Sequence, residues 1–122
     1  MAGLSRSQQK GTSFETSIAK GLASALDDDR IERRAKTGTK DRGDIAGVRL
    51  RGQRVVIECK HEATGKVFKL PEWVNEAQEE AANDDALVGV VVHKRAKTTD
   101  PMRQWCSMTV GDFVAILTGE RQ

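Results

Sequence analysis

Residues 55–60 read Val55-Val56-Ile57-Glu58-Cys59-Lys60. The apolar run predicts a buried strand, yet it closes on an acid and a base two positions apart. Side chains alternate faces along a strand, so Glu58 and Lys60 share one face and Cys59 takes the other. A buried strand has little reason to end with opposite charges side by side unless the pair has a chemical role.

Just ahead of this run, Arg51-Gly52-Gln53 predicts a tight turn, and Asp44 to Leu50 (DIAGVRL) a partner strand. The two form an antiparallel hairpin. With the turn centred on Gly52, or half a residue away, opposed residue numbers sum to about 102–104. Asp44 then lies opposite Glu58 or within two residues of it. Facing carboxylates destabilise a sheet, so this pair wants a cation between its members. Lys60 offers one charge. Mg²⁺ offers more, and it favours carboxylates, water and phosphate oxygens. In phosphodiester hydrolysis a metal ion polarises the phosphate and lowers the pKa of its bound water. A nearby lysine can orient or help deprotonate that water, or stabilise the developing negative charge.

Farther out, Phe14, Ile18, Leu22 and Ala25 recur on one face of a first helix, with Thr12-Ser13-Phe14-Glu15 fitting a capping box at its start. Asp27-Asp28-Asp29 ends it. Residues 1–9 are expected as a flexible arm and residues 10–122 as a single domain. Arg30 to Lys36 predicts a short charged strand, and Thr37 to Gly43 a loop. After the hairpin, Pro71 suits the first turn of a second helix that runs to Asn83. Trp73, Val74, Ala77 and Ala81 mark its inner face, with Glu72, Glu76, Glu79 and Glu80 mostly outside. Ala86 to Val92 is a continuous apolar run, as expected of a central strand covered on both faces. His93 to Arg103 is a basic loop, Trp105 to Val110 a last strand, and Asp112 to Leu117 a short terminal helix. The order is α-β-β-β-α-β-β-α, an α/β domain with a mixed sheet flanked by helices.

The 122 residues suffice for one core, and 38% hydrophobic with 31% charged residues suits a globular protein with a charged surface. No apolar run approaches a membrane span and the N-terminus lacks a signal-peptide core, so the expected compartment is the cytoplasm. Cys59 and Cys106 are expected as reduced thiols, and no Cys/His cluster calls for zinc. The net charge of +2 hides an uneven distribution: residues 30–69 hold twelve Lys/Arg against five acids, the rest eight against thirteen. A basic middle third suits a phosphate backbone.

Asp44 followed by Glu58-x-Lys60 resembles the PD-(D/E)XK nuclease superfamily. Within it, Lys10 to Glu15 leading into a helix, a basic glycine loop, Gly43-Asp44-Ile45 and Ile57-Glu58-Cys59-Lys60 are similar to the archaeal-type Holliday junction resolvases, including resolvase-like proteins of bacteriophages. The resemblance covers roughly residues 10–93. It implies a restriction-endonuclease-like αβββαβ core and a site of Glu15, Asp44, Glu58 and Lys60, in which Asp44, Glu58 and Glu15 hold Mg²⁺, with Mn²⁺ able to substitute. The superfamily often has a proline where this chain has Gly43. A hydroxyl in the glycine loop, Thr37 or Thr39, and Gln78 from the second helix are further candidates. Without chemistry, the capping box accounts for Glu15 and a solvated helix position for Gln78.

Lys10, Lys36, Lys40, Arg42, Lys94 and Arg95 are the expected contacts to a DNA backbone. So small a domain has no module for reading a long sequence, which favours recognition of shape, and branched DNA fits. Two symmetric nicks on a four-way junction require a C₂ homodimer. Trp105, Met108, Phe113 and Ile116, or the second helix, could supply its surface. The expected function is a metal-dependent, structure-selective DNA endonuclease, a Holliday junction resolvase of a bacterial or phage-infected cell. A nicking or repair endonuclease of the same superfamily on another DNA, and a non-catalytic nucleic-acid-binding module, are the alternatives.

Overall fold

The computed structural model describes residues 6–35, 42–62 and 69–122, with the side chains of 6–10 outside that description. The elements are α1 (Arg6–Leu26), β1 (Glu32–Arg33), β2 (Ile45–Ala46), β3 (Arg49–Leu50), β4 (Gln53–Lys60), α2 (Leu70–Asn83), β5 (Val88–His93), β6 (Trp105–Ser107) and α3 (Val110–Thr118). A 3-10 turn at Pro101–Arg103 precedes β6. Among the described residues the protein is thus α/β, a mixed sheet with three α-helices.

The sheet order is β1-β2-β4-β5-β6, and β3 pairs with β4 beyond β2. β4 and β5 run parallel, from Val55 against Val88 to Lys60 against His93, and the other pairs are antiparallel. The hairpin turn has positive φ at both Arg51 and Gly52, the twist that matches two strands joined by two residues. Its register sums to 103 at Leu50–Gln53 and 102 at Ile45–Ile57, within the expected window. Between those pairs the outer strand uses one residue more than β4, a bulge at Gly47 with φ +91°. That bulge is why the strand expected over 44–50 is observed as β2 and β3.

Alternation along β4 sorts two layers. Ile57 and Cys59 pack with Val88 and Val90 under α1 and α3, where Phe14, Ile18, Ala19 and Ala115 cover them. Val56 packs under Ala81, and Val91 under Trp73 and Ala77, on the α2 side. α2 lies so close to β5 that a Cβ on Gly89 would sit 2.1 Å from the Ala77 carbonyl oxygen. β5 is buried on both faces, as its unbroken apolar run predicts.

The helix ends follow from sequence. Leu26 is followed by Asp27 at φ 50°, and Asp28 N–H donates to the Ala23 carbonyl. Asp85 at φ 49° ends α2 in the same way, with Ala86 N–H donating to the Ala81 carbonyl. Both are left-handed caps that satisfy orphan carbonyls. Thr109 caps α3 by accepting from Asp112 N–H at 3.0 Å, so that helix begins two residues before its predicted start. α1 begins at Arg6, inside the stretch expected as an arm. Thr12 is therefore an interior helix residue, and the predicted capping box does not form.

Candidate metal centre

β4 and β5 end side by side at Lys60 and His93. The carboxyl ends of parallel strands are where open α/β sheets bind ligands. Glu58 and Lys60 point to the α2 face there, as alternation requires, and Cys59 points into the opposite core.

Asp44 sits one step beyond the Ile45–Ile57 pair, which sets it against Glu58. Its backbone N–H donates to the Ile57 carbonyl at 2.8 Å, its carbonyl accepts from Arg34 N–H at 2.7 Å, and its Oδ2 accepts from Cys59 N–H at 2.8 Å. Two of these hydrogen bonds hold it against β4, and the third ties it to the chain just after β1. Gly43 makes this possible: it has φ +91°, and a Cβ there would meet the Ile57 oxygen and Val56 Cγ1 at 2.9 Å. Proline cannot adopt that φ, so the local backbone requires the glycine at this position.

Glu58 is 4% exposed. Its Oε1 lies 3.5 Å from Lys60 Nζ. Its Oε2 is buried and meets no donor unless the neighbouring Glu80 carries a proton. Burial pushes the Glu58 carboxyl far above the usual range. The hydrogen bond with Glu80 and the charges of Asp44, Glu80 and Glu76 push the same way. Lys60 donates to Glu76 Oε2 at 2.9 Å. Burial opposes its charge, but the bond to Glu76 and the charge of Glu58 outweigh burial and raise its pKa. Lys60 is therefore a held cation, not a ready proton acceptor.

Glu76 and Glu80 were expected mostly outside. The structure corrects this: Glu80 is 2% exposed, and one oxygen each from Glu58, Glu76 and Glu80 lies within 4.8 Å of the others. The two residues are four apart on α2 and so share one face. Each directly precedes a residue of the apolar stripe, Ala77 and Ala81, which is the signal that could have found them.

The donors fit a hard cation. They are carboxylate oxygens only, with Glu58 and Glu80 buried, the set that Mg²⁺ or Mn²⁺ accepts. His93 is turned to Ser107 Oγ at 2.8 Å and burial lowers its pKa, which keeps it neutral.

Other expected site residues lie elsewhere. Glu15 faces Arg33 Nη1 at 3.6 Å and lends its charge to the surroundings of Cys59 on the α1 side; it lies outside the group of three glutamates. Gln78 commits its amide to the Gly89 carbonyl at 3.5 Å and Asp112 Oδ2 at 2.5 Å, a structural link between α2, β5 and α3. Arg42 approaches Asp84 at 3.8 Å. Lys94 donates to the carbonyls of Arg95 and Thr98, and Arg95 stacks over Trp105 at 4.6 Å. Lys10 lies in α1 with its side chain outside the description. Lys36, Thr37, Thr39 and Lys40 lie outside the described residues. His61 packs edge-on against Phe14 at 5.5 Å, away from the site.

No helix among the described residues is long and apolar enough to cross a membrane. Comparison with protein-family models, with curated proteins and with solved structures returns no match to this chain.

Proposed function

We propose that the chain is a Mg²⁺-dependent DNA endonuclease of PD-(D/E)XK type, selective for branched DNA and acting in the cytoplasm as a homodimeric junction resolvase. The observation that carries the reading is one constellation at the end of β4. Glu58, Glu76 and Glu80 each bring an oxygen within 4.8 Å of the others, Lys60 pairs with Glu58 and Glu76, and Asp44, bonded to Cys59 N–H, stands beside them but outside the group of three. The order α1-β1-β2/β3-β4-α2-β5 supports a restriction-endonuclease-like core.

Asp44 and Glu58 would hold the ion, with Glu76 and Glu80 completing its oxygen donors. When bound, Mg²⁺ supplies the charge that polarises a phosphate and acidifies a water. Lys60 acts by its charge, donating to the water or to a phosphate oxygen as negative charge develops. Glu76 is the half-buried member and keeps Lys60 oriented from the solvent side. Glu15 enters on the resemblance alone; it pairs with Arg33 at 3.6 Å and lies outside the group of three glutamates. The basic surplus of residues 30–69 supports a nucleic-acid backbone as partner. Val110, Phe113 and Leu117 expose an apolar face of α3 that supports pairing of two copies.

The test is a synthetic four-way junction beside a linear duplex of the same arms, each with Mg²⁺ or EDTA. Paired nicks on the junction alone, only with Mg²⁺, are expected. Equal cutting of the linear duplex would remove junction selectivity and leave a nicking endonuclease. Binding without cutting at any metal concentration would leave a nucleic-acid-binding module.

A further inference from the structure

A second charged feature lies apart from the carboxylates. A cavity of about 440 Å³ opens between the β2–β3 bulge, the start of β4 and the C-terminal end of α2. Its charged lining is Arg34, Arg42, Arg49, Arg54, Asp84 and Asp85. Four guanidiniums thus meet two carboxylates, and one of these, Asp85, pairs with Arg121 at 3.1 Å. Asp84 is buried and serves two arginines, Arg54 at 3.1 Å and Arg42 at 3.8 Å. Arg54 also donates twice to the Asp84 carbonyl, at 3.0 and 2.6 Å, which fixes its plane.

The remaining two arginines are under-satisfied. Arg34 Nε is buried with no hydrogen-bond partner. Arg49 makes one long bond, from Nη1 to the Gly52 carbonyl at 3.4 Å. Among the described residues neither forms an ion pair. Arg49 also stands directly opposite Arg54 in the β3–β4 register, and like charges so placed destabilise a sheet. A buried guanidinium N–H without an acceptor is costly as well. One anion offsets both costs. Guanidinium forks match the oxygens of phosphate two at a time, from several directions. The Gly47 bulge makes the room, because it parts β2 from β3 and re-aims the residues that follow.

We propose that this cavity is a phosphate-binding subsite built by Arg34, Arg49 and Arg54, with Asp84 as the anchor of the rim. The ligand chemistry is a phosphate group, either of a nucleic-acid backbone or free as inorganic phosphate or nucleotide. Assigning the backbone rests on the nuclease reading; the anion site itself does not. Arg54 and Glu58 are four residues apart on β4, about 13 Å at the usual strand rise. That is well under the ~34 Å of one duplex turn, so one DNA arm can touch both places.

The test has two arms, both in EDTA. In the first, inorganic phosphate is titrated against sodium chloride at equal ionic strength and thermal unfolding is followed. Phosphate should raise the Tm of the wild type by about 2 °C or more, and Arg49→Gln should abolish that rise. Arg34→Met, which removes the buried donor, should abolish it too; if that variant fails to fold, Arg49→Gln decides alone. In the second arm, anisotropy of a labelled duplex is followed against salt. Arg49→Gln should lower the salt slope by about one. Both effects together support a backbone phosphate as the ligand. Loss of phosphate stabilisation with an unchanged DNA slope supports the subsite with free phosphate or nucleotide as its ligand. No stabilisation of the wild type, or equal stabilisation of wild type and Arg49→Gln, overturns the subsite. If the wild type binds no DNA while phosphate stabilisation still depends on Arg49, the nuclease reading falls and the subsite stands.

Discussion

At the scale of residues, the geometry of the candidate site was legible wherever strand alternation decides it. Glu58 and Lys60 share a face, Cys59 turns to the core, and Asp44 arrives opposite Glu58, all from spacing along a hairpin. Glu76 and Glu80 were missed, because an acid-rich helix reads as a solvated one and their place beside the apolar stripe is a weak signal; packing against β4 and β5 shows that they turn inward. Their inward turn has a measurable cost. The folded chain keeps a proton near Glu58 that the unfolded chain releases around pH 4.5. That contribution to stability is complete below pH 4.5 and is lost as pH rises toward the elevated folded value, at up to about 1.4 kcal/mol per pH unit. Tm in EDTA should therefore fall from pH 5 to pH 8, and Mg²⁺ should restore most of the loss at pH 8. A Tm that does not respond to Mg²⁺ at pH 8 would remove the ion from this site. Lys60→Met should lower the rate of cleavage by about 100-fold or more and leave DNA binding within a few-fold of wild type, by anisotropy.

At the scale of elements, the buried apolar run of β5 and the hairpin register follow from pattern, whereas the parallel pairing of β5 with β4 is seen in the structure. Two other features did not follow from pattern. The start of α1 is hidden because residues 6–11 (RSQQKG) carry no apolar period, so Thr12 looked like a cap. The Gly47 bulge is hidden because one glycine in a strand pattern does not say which residue is extra. The close approach of α2 to β5 gives a sharper prediction. Gly89→Ala places a methyl against the Ala77 carbonyl and should cost about 3 kcal/mol in denaturant unfolding. Loss of less than half that would mean α2 can shift without harm. Because Glu76 and Glu80 ride on α2, the same variant should also weaken the Mg²⁺-dependent rise in Tm.

At the scale of the whole molecule, the fold places acids at one end of the β4–β5 pair and arginines near the other. Exposed apolar side chains gather on the last helix, with Phe113 53% and Leu117 67% exposed. If that face pairs two copies, Phe113→Asp should shift the protein from dimer to monomer in sedimentation while Tm changes little. A wild-type monomer at micromolar concentration would contradict the pairing. Four residues and a charge block carry the proposed class of function; no local motif in the sequence selects one DNA substrate over another. The central claim is metal-dependent phosphodiester cleavage by the group at the end of β4. Its most direct test is nicking of a labelled four-way junction by wild type and by Asp44→Asn, with Mg²⁺ and with EDTA. Asparagine can still accept from Cys59 N–H, so the fold should survive. The account predicts nicks from the wild type with Mg²⁺ only, and none from Asp44→Asn although it binds the junction. Cleavage by the wild type in EDTA, or undiminished cleavage by Asp44→Asn, would contradict it.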